Sequence, residues 1–116
     1  MNLADKHIYL ACGPTDMRKS INGLSAIVEG SFELDPFTEA LFVFCNRQRN
    51  RIKILEWDVD GFWLYFKRLE KGRFQWPTVG EEKTMTLTCD DFKHLLGSTK
   101  VIQKIRRKEV EIGIIA

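Results

Sequence analysis

The amino-acid sequence predicts an α+β fold: a small single domain in which an antiparallel β-meander packs against one long helix, with a short helix near the C-terminal end. Three observations predict it. From Leu41 to Pro77, apolar runs of strand length are separated by turn residues. Upstream, Ile21, Leu24, Ile27, Val28 and Phe32 recur at three- and four-residue spacing, the period of a helix with one apolar face. Downstream, Thr88 and Asp91 stand at capping-box spacing ahead of Phe92, Leu95 and Leu96.

Taken in order, Ile8 to Cys12 reads as a short strand, and Gly13-Pro14 turns the chain out of it. Thr15 or Asp16 is placed to cap the long helix, which Gly23 and Gly30 weaken slightly. Asp35-Pro36 separates that helix from Ala40 to Cys45, an unbroken apolar run that reads as a central strand covered on both sides. The polar loop Asn46 to Asn50 leads into a strand from Ile52 to Trp57. Asp60-Gly61 supplies left-handed turn chemistry for a hairpin into Phe62 to Leu69. Lys71-Gly72 marks the next turn, before a short strand from Phe74 to Trp76 that Pro77 closes. Met85 and Leu87 alternate with threonines, which predicts a strand over Thr84 to Thr88. The domain is expected to span residues 1–97. Beyond it, residues 98–116 carry the basic cluster Lys100, Lys104, Arg106, Arg107 and Lys108, followed by Val110, Ile112 and Ile114 in alternation. That tail fits a partly ordered arm or an edge strand.

Length and composition exclude several classes. A chain of 116 residues buries about two-thirds of its unfolded surface and needs no metal or disulfide to fold. The N-terminal residues lack the basic and apolar regions of a secretory signal, and no apolar run approaches a membrane span. Cys12, Cys45 and Cys89 form no C-x-x-C pair, so reduced thiols in a cytoplasmic protein are expected. The net charge of +2 conceals a division along the chain. Residues 1–44 hold three basic and six acidic side chains, whereas residues 45–76 hold eight basic and four acidic ones. A local positive field of this kind steers anions better than the total suggests.

Catalytic patterns are weak. Glu56-x-Asp58-x-Asp60-Gly61 imitates the start of a calcium loop, but Lys67 stands where the bidentate glutamate is required. Gly13-Pro14-Thr15-Asp16 lacks the Gly-Lys-Ser/Thr ending of a phosphate loop. His7 and His94 are isolated, and Asp16, Asp58 and Asp60 make a poor set for two-metal nuclease chemistry. The reading is therefore a non-enzymatic protein with no cofactor, no metal and no catalytic residue.

What the residues favour is recognition. Arg47, Arg49, Arg51 and Lys53, followed by Lys67, Arg68, Lys71 and Arg73, supply forks and point charges suited to phosphate, and Arg18 lies in the expected first helical turn. If the first segment were extended, Arg47, Arg49, Arg51 and Lys53 would share one strand face; a loop would splay them. Trp57, Trp63, Tyr65, Phe66, Phe74 and Trp76 lie nearby, as core residues with one or two left over for stacking.

These same residues carry a resemblance. Thr15-Asp16-Met17-Arg18-Lys19-Ser20-Ile21-Asn22-Gly23-Leu24, Leu41-Phe42-Val43-Phe44, the Arg47 to Arg51 cluster, Ile52-Lys53-Ile54-Leu55, Asp60-Gly61-Phe62 and Lys67-Arg68-Leu69-Glu70 with Gly72, Phe74, Trp76 and Pro77 follow in fixed order. Over about residues 8–77 they resemble the TnpB-type accessory protein of the insertion sequence sixty-six elements, distinct from the RNA-guided nucleases that share the TnpB name. The resemblance implies a bacterial mobile-element protein that assists a separately encoded transposase and has no established enzymatic activity. Asn22 and Asn50 stand where acidic residues are expected in relatives, and no shared motif is recognisable beyond Gly97. The expected partners are DNA, as element ends or transposition intermediate, and the transposase; no membrane is expected and self-association is left open. The expected contacts are Arg18, Arg47, Arg49, Arg51, Lys53, Lys67, Arg68, Lys71 and Arg73, with Asp16 among the positions the resemblance transfers. The alternative is a protein-assembly module without DNA contact, using a sheet edge or the Val110 to Ile114 segment.

Overall fold

The computed structural model describes Leu3, residues 5–78 and residues 80–97. The predicted basic tail, residues 98–116, lies outside the described residues. Five strands form one mixed sheet: β1 (His7–Ala11), β2 (Ala40–Cys45), β3 (Arg51–Asp58), β4 (Gly61–Arg68) and β5 (Thr84–Leu87), in the order β4-β3-β2-β1-β5. Between β1 and β2 lies α1 (Ile21–Ala26), which runs directly into a π-helical turn (Ile27–Ser31). A short α2 (Cys89–Leu95) follows β5.

The α+β class and both helices agree with the sequence, but the purely antiparallel meander does not. β2, β3 and β4 are consecutive antiparallel neighbours, whereas β1 lies parallel to β2, with His7 opposite Ala40 and Leu10 opposite Val43. Parallel neighbours need a long crossover, and the helix-containing segment between Cys12 and Glu39 provides it. β5 then pairs antiparallel with β1 and closes that side of the sheet.

Both faces of the sheet are covered. On one, Leu24 and Val28 of the helix pack on Ala40, Phe42, Phe44, Leu55 and Leu64. On the other, Phe74, Trp76, Phe92 and Leu96 cover Ile8, Leu10, Leu41, Val43, Ile52, Ile54 and Tyr65. Every residue of β2 is therefore buried, as its unbroken apolar run requires.

The Phe74 to Trp76 stretch is not a strand. Its alternation arises because Phe74 and Trp76 are buried and Gln75 is exposed, while its backbone bonds elsewhere: Phe74 N donates to Arg49 O at 2.7 Å. The helix begins later than expected, with Ser20 at its N-cap and no side-chain cap bond. Asp16 instead folds a turn of its own, accepting from Arg18 N at 2.9 Å. The capping box predicted for α2 is present, with Asp91 N donating to Thr88 Oγ1 and Thr88 N to Asp91 Oδ2.

At the β3–β4 hairpin, Asp58 pairs with Gly61, so the tip is Val59-Asp60. Val59 holds a φ of +52° while 89% exposed, a left-handed backbone that a β-branched residue adopts only under strain. Next to it Phe37, Trp57 and Phe62 form an aromatic cluster with ring centroids 5.0 to 5.5 Å apart. The exposed acidic side chains Asp35, Glu39, Asp58 and Asp60 belong to the same hairpin and adjoining loop.

Candidate nucleic-acid interface

The loops after β1 and β2 leave the carboxyl ends of two parallel neighbours and meet above the sheet. Thr15 N donates to Cys45 O at 2.7 Å, which ties the first loop to the end of β2. The second loop, residues 46–50, is organised by Asn46, one of the two buried polar side chains among the described residues. Its Oδ1 accepts from Asn50 N and Arg51 N, both at 3.0 Å, and its Nδ2 donates to Asn50 Oδ1 at 2.7 Å. An asparagine that bonds the backbone ahead of it stabilises a tight loop without help from a strand. Arg49 takes a left-handed φ of +61° within it. Two outside braces complete the loop: Arg49 O accepts from Phe74 N and Asn50 O from Leu69 N, each at 2.7 Å.

This loop leaves Arg47 and Arg49 exposed, with Arg51 half-buried at the start of β3. The nine cations expected from the sequence divide around it. Among the described residues no carboxylate lies within ion-pair distance of Arg47, Arg49, Arg51, Lys71 or Arg73. Arg18 is held by Asp16 through Nε and Nη2, the shortest contact being 2.7 Å, and this guanidinium draws the Asp16 carboxyl down to about 2. Arg68 grips Glu70 with two bonds of 2.9 Å and holds its carboxyl below the usual range, with Arg51 adding a smaller effect. Glu70 thereby eases the repulsion between Arg51 and Arg68, which stand directly opposite each other on β3 and β4. Both ion pairs are exposed and screened by solvent, so each contributes little and phosphate can displace it.

Lys53 and Lys67 are placed differently. Lys53 shares the helix-side face with Arg51, but its ammonium donates to Met17 O and Lys19 O, each at 2.8 Å. Burial lowers the pKa of this lysine, whose role is to pin the segment ahead of α1 onto the sheet. Lys67 pairs with Ile52 across the strands, so it projects from the opposite face to Arg51 and Arg68. The loop thus separates the single stripe that an extended Arg47 to Lys53 segment would have made.

Two depressions flank Arg47 and share Pro14, Asn46 and Arg47. One, of about 220 Å³, lies between Pro14, Trp76 and Pro77, with Arg47 and Arg49 at its edge. Its walls are tied together by Gly13 N donating to Pro77 O at 3.0 Å and by Trp76 Nε1 donating to Ala11 O at 2.9 Å. Gly13 has a φ of +76°, a conformation in which a side chain would be strained. The other depression, of about 330 Å³, is more polar and runs past Asp16 and Met17 towards Arg51.

Sequence reasoning missed Asn46, Pro14, Trp76 and Pro77 as builders of this surface. A polar residue directly after an all-apolar strand, followed by further amides, is the signal that Asn46 gives; the pocket walls come from segments too distant to be joined by eye. The carboxylates with a calcium-like spacing have other partners: Glu56 binds Lys6 Nζ at 3.2 Å and Tyr65 Oη at 2.7 Å, and Asp58 accepts from Trp63 Nε1. Among the described residues no three His, Cys, Asp or Glu side chains are grouped to hold a metal ion, and no helix is long and apolar enough to cross a membrane.

Comparison with known proteins places the chain in a family. A family model described as IS66 Orf2 like protein matches residues 6–106, past both Pro77 and Gly97, where the recognisable motifs stop. The chain is 31% identical over 104 residues to the uncharacterized protein y4jC of Sinorhizobium fredii, covering 90% of this chain and 87% of the relative. It is 38% identical over 72 residues to y4hO of the same organism, covering 62% of this chain and 63% of that relative. No solved structure matches the chain. With a family match over most of its length and a relative of this similarity, the chain belongs to the IS66 Orf2-like family, accessory proteins of insertion-sequence transposition.

Proposed function

We propose that this accessory protein acts by binding DNA, at the element ends or in the transposition intermediate, through the arginine loop and the turn beside it. One observation carries the reading: Arg47 and Arg49 on an internally braced loop, and Arg51 at the start of β3 beside it, have no carboxylate within ion-pair distance among the described residues. A guanidinium offers a planar fork to phosphate oxygens, and a loop fixed before binding loses little further freedom on contact. Lys71 and Arg73 extend the cationic surface, and Arg18 and Arg68 join it when phosphate replaces their carboxylates. Lys53 and Lys67 fall outside this contact set by their placement.

The test is DNA binding by variants, with element terminal repeats and scrambled duplexes as probes. Arg47→Gln together with Arg49→Gln should weaken binding to both by about 10- to 100-fold, since phosphate contacts act regardless of sequence. Arg18→Gln should change it less, because releasing that guanidinium from Asp16 offsets part of what its phosphate contact gains. Equal effects from the two sets would remove the loop from the contact surface.

A second reading, docking on the transposase, is favoured by the opposite end of the molecule. Phe37 and Val59 are 52% and 89% exposed there, beside Trp57 and Phe62 and amid acidic residues that repel DNA. An aromatic surface of this kind suits a protein partner. Copurification of the transposase should survive nuclease digestion and be lost with Phe37→Ser; dependence on intact DNA would exclude direct docking.

A further inference from the structure

We infer that the pocket between Pro14, Trp76 and Pro77 holds the base of an unpaired nucleotide, with Arg47 and Arg49 on its phosphates. This deepens the DNA reading and rests on it: the strand recognised here is single, frayed or extruded. Three features of the pocket carry the inference.

The first is its chemistry. Two prolines and Trp76 line a largely apolar recess, and Arg47 and Arg49 line it with them. Duplex DNA presents phosphate to such a surface and keeps its base faces stacked inside, so it makes no use of an apolar recess. An unpaired nucleotide offers both a π-face and a phosphate, the pair of groups that proteins bind with apolar plates and arginines.

The second is rigidity. The Gly13 to Pro77 bond, the Trp76 to Ala11 bond and the Phe74 to Arg49 bond join all the walls before any ligand arrives. A recess of about 220 Å³ formed in this way accepts a planar ring and excludes a duplex.

The third is the disposition of polar groups. The Asn46 amide and the Trp76 indole N–H are committed to internal hydrogen bonds. Neither is available to read a base edge, which leaves the Thr78 hydroxyl and the Arg47 and Arg49 guanidinium groups as the polar side-chain groups facing a ligand.

Free nucleotides share this chemistry, and the experiment separates the sources. The full chain is titrated into labelled DNAs of common duplex sequence: one with a blunt end, one with a short single-stranded overhang in each polarity, and the overhangs again with abasic residues. The overhang of the preferred polarity should bind about tenfold more tightly than the blunt duplex, the gain expected from burying roughly 55 Å² of apolar surface. The abasic overhang should lose that gain while keeping its phosphates. Equal affinity for base-bearing and abasic overhangs, or for blunt and overhang DNA, overturns the assignment while leaving DNA binding intact. Displacement of the overhang by dAMP at concentrations comparable to the DNA's own Kd assigns the pocket to a free nucleotide and overturns the strand reading. Failure to bind any of these DNAs overturns the DNA reading itself.

Discussion

At the residue scale, Glu56 shows how a carboxylate that catches the eye in the sequence is used for structure. It is buried on β3, where it meets the Lys6 ammonium and the Tyr65 hydroxyl. Burial, and then the bond to Glu56, raise the Tyr65 pKa far above its ordinary 10.0. Because the folded-state pKa exceeds the unfolded one, the associated stabilisation is complete below about pH 10 and lost as pH rises beyond it. Tyr65→Phe should therefore cost about 2 kcal/mol near neutrality, the value of a hydrogen bond to a charged group, and flatten the alkaline limb of the stability curve. In the wild-type protein the phenolate absorbance attributable to Tyr65, by difference from the variant, should appear only as the fold opens. Phenolate formation in the folded state would contradict the buried bond. Glu56 was legible as the acidic residue inside a strand; its partners were not. Lys53 is harder still, because its ammonium contacts Met17 and Lys19, more than thirty residues away.

At the element scale, the loop of residues 46–50 depends on one side chain. Asn46→Ala would leave the amides of Asn50 and Arg51 without their shared acceptor in a part-buried setting. The expected cost is about 2–4 kcal/mol, read by chemical denaturation, with weaker DNA binding under conditions where the variant is still folded. Full DNA affinity in a folded Asn46→Ala protein would show that the loop's shape is immaterial. The turn itself was legible from its amides and arginines, as was the α2 capping box. The course of Phe74 to Trp76 was not, since burial of alternate residues looks the same in a strand and in a segment laid across a sheet. The hairpin between β3 and β4 was legible too, but its tip falls on Val59-Asp60, because register put Gly61 opposite Asp58.

At the scale of the whole molecule, the crossover explains both the fold and the position of the site. An entirely apolar strand announced cover on both faces, and it is β2, the parallel partner of β1, that meets this description. The neighbour of a strand is decided by the packing of distant segments, so the alternation visible along one strand could not distinguish a parallel pair from a meander. Among the described residues the two ends of the sheet differ in charge: arginines gather where β1 and β2 end, and Asp35, Glu39, Asp58 and Asp60 gather with the aromatic cluster at the other end. A protein so divided can hold DNA on one side and leave the other to a protein of the same assembly. The most direct test is the salt dependence of duplex DNA binding by the wild-type chain and by the Arg47→Gln/Arg49→Gln variant. Each phosphate contact contributes about −0.9 to the log-log slope, so loss of the two arginines should reduce its magnitude by about 1.8 in the variant. An identical slope in the two proteins would contradict the arginine loop as the DNA-facing surface.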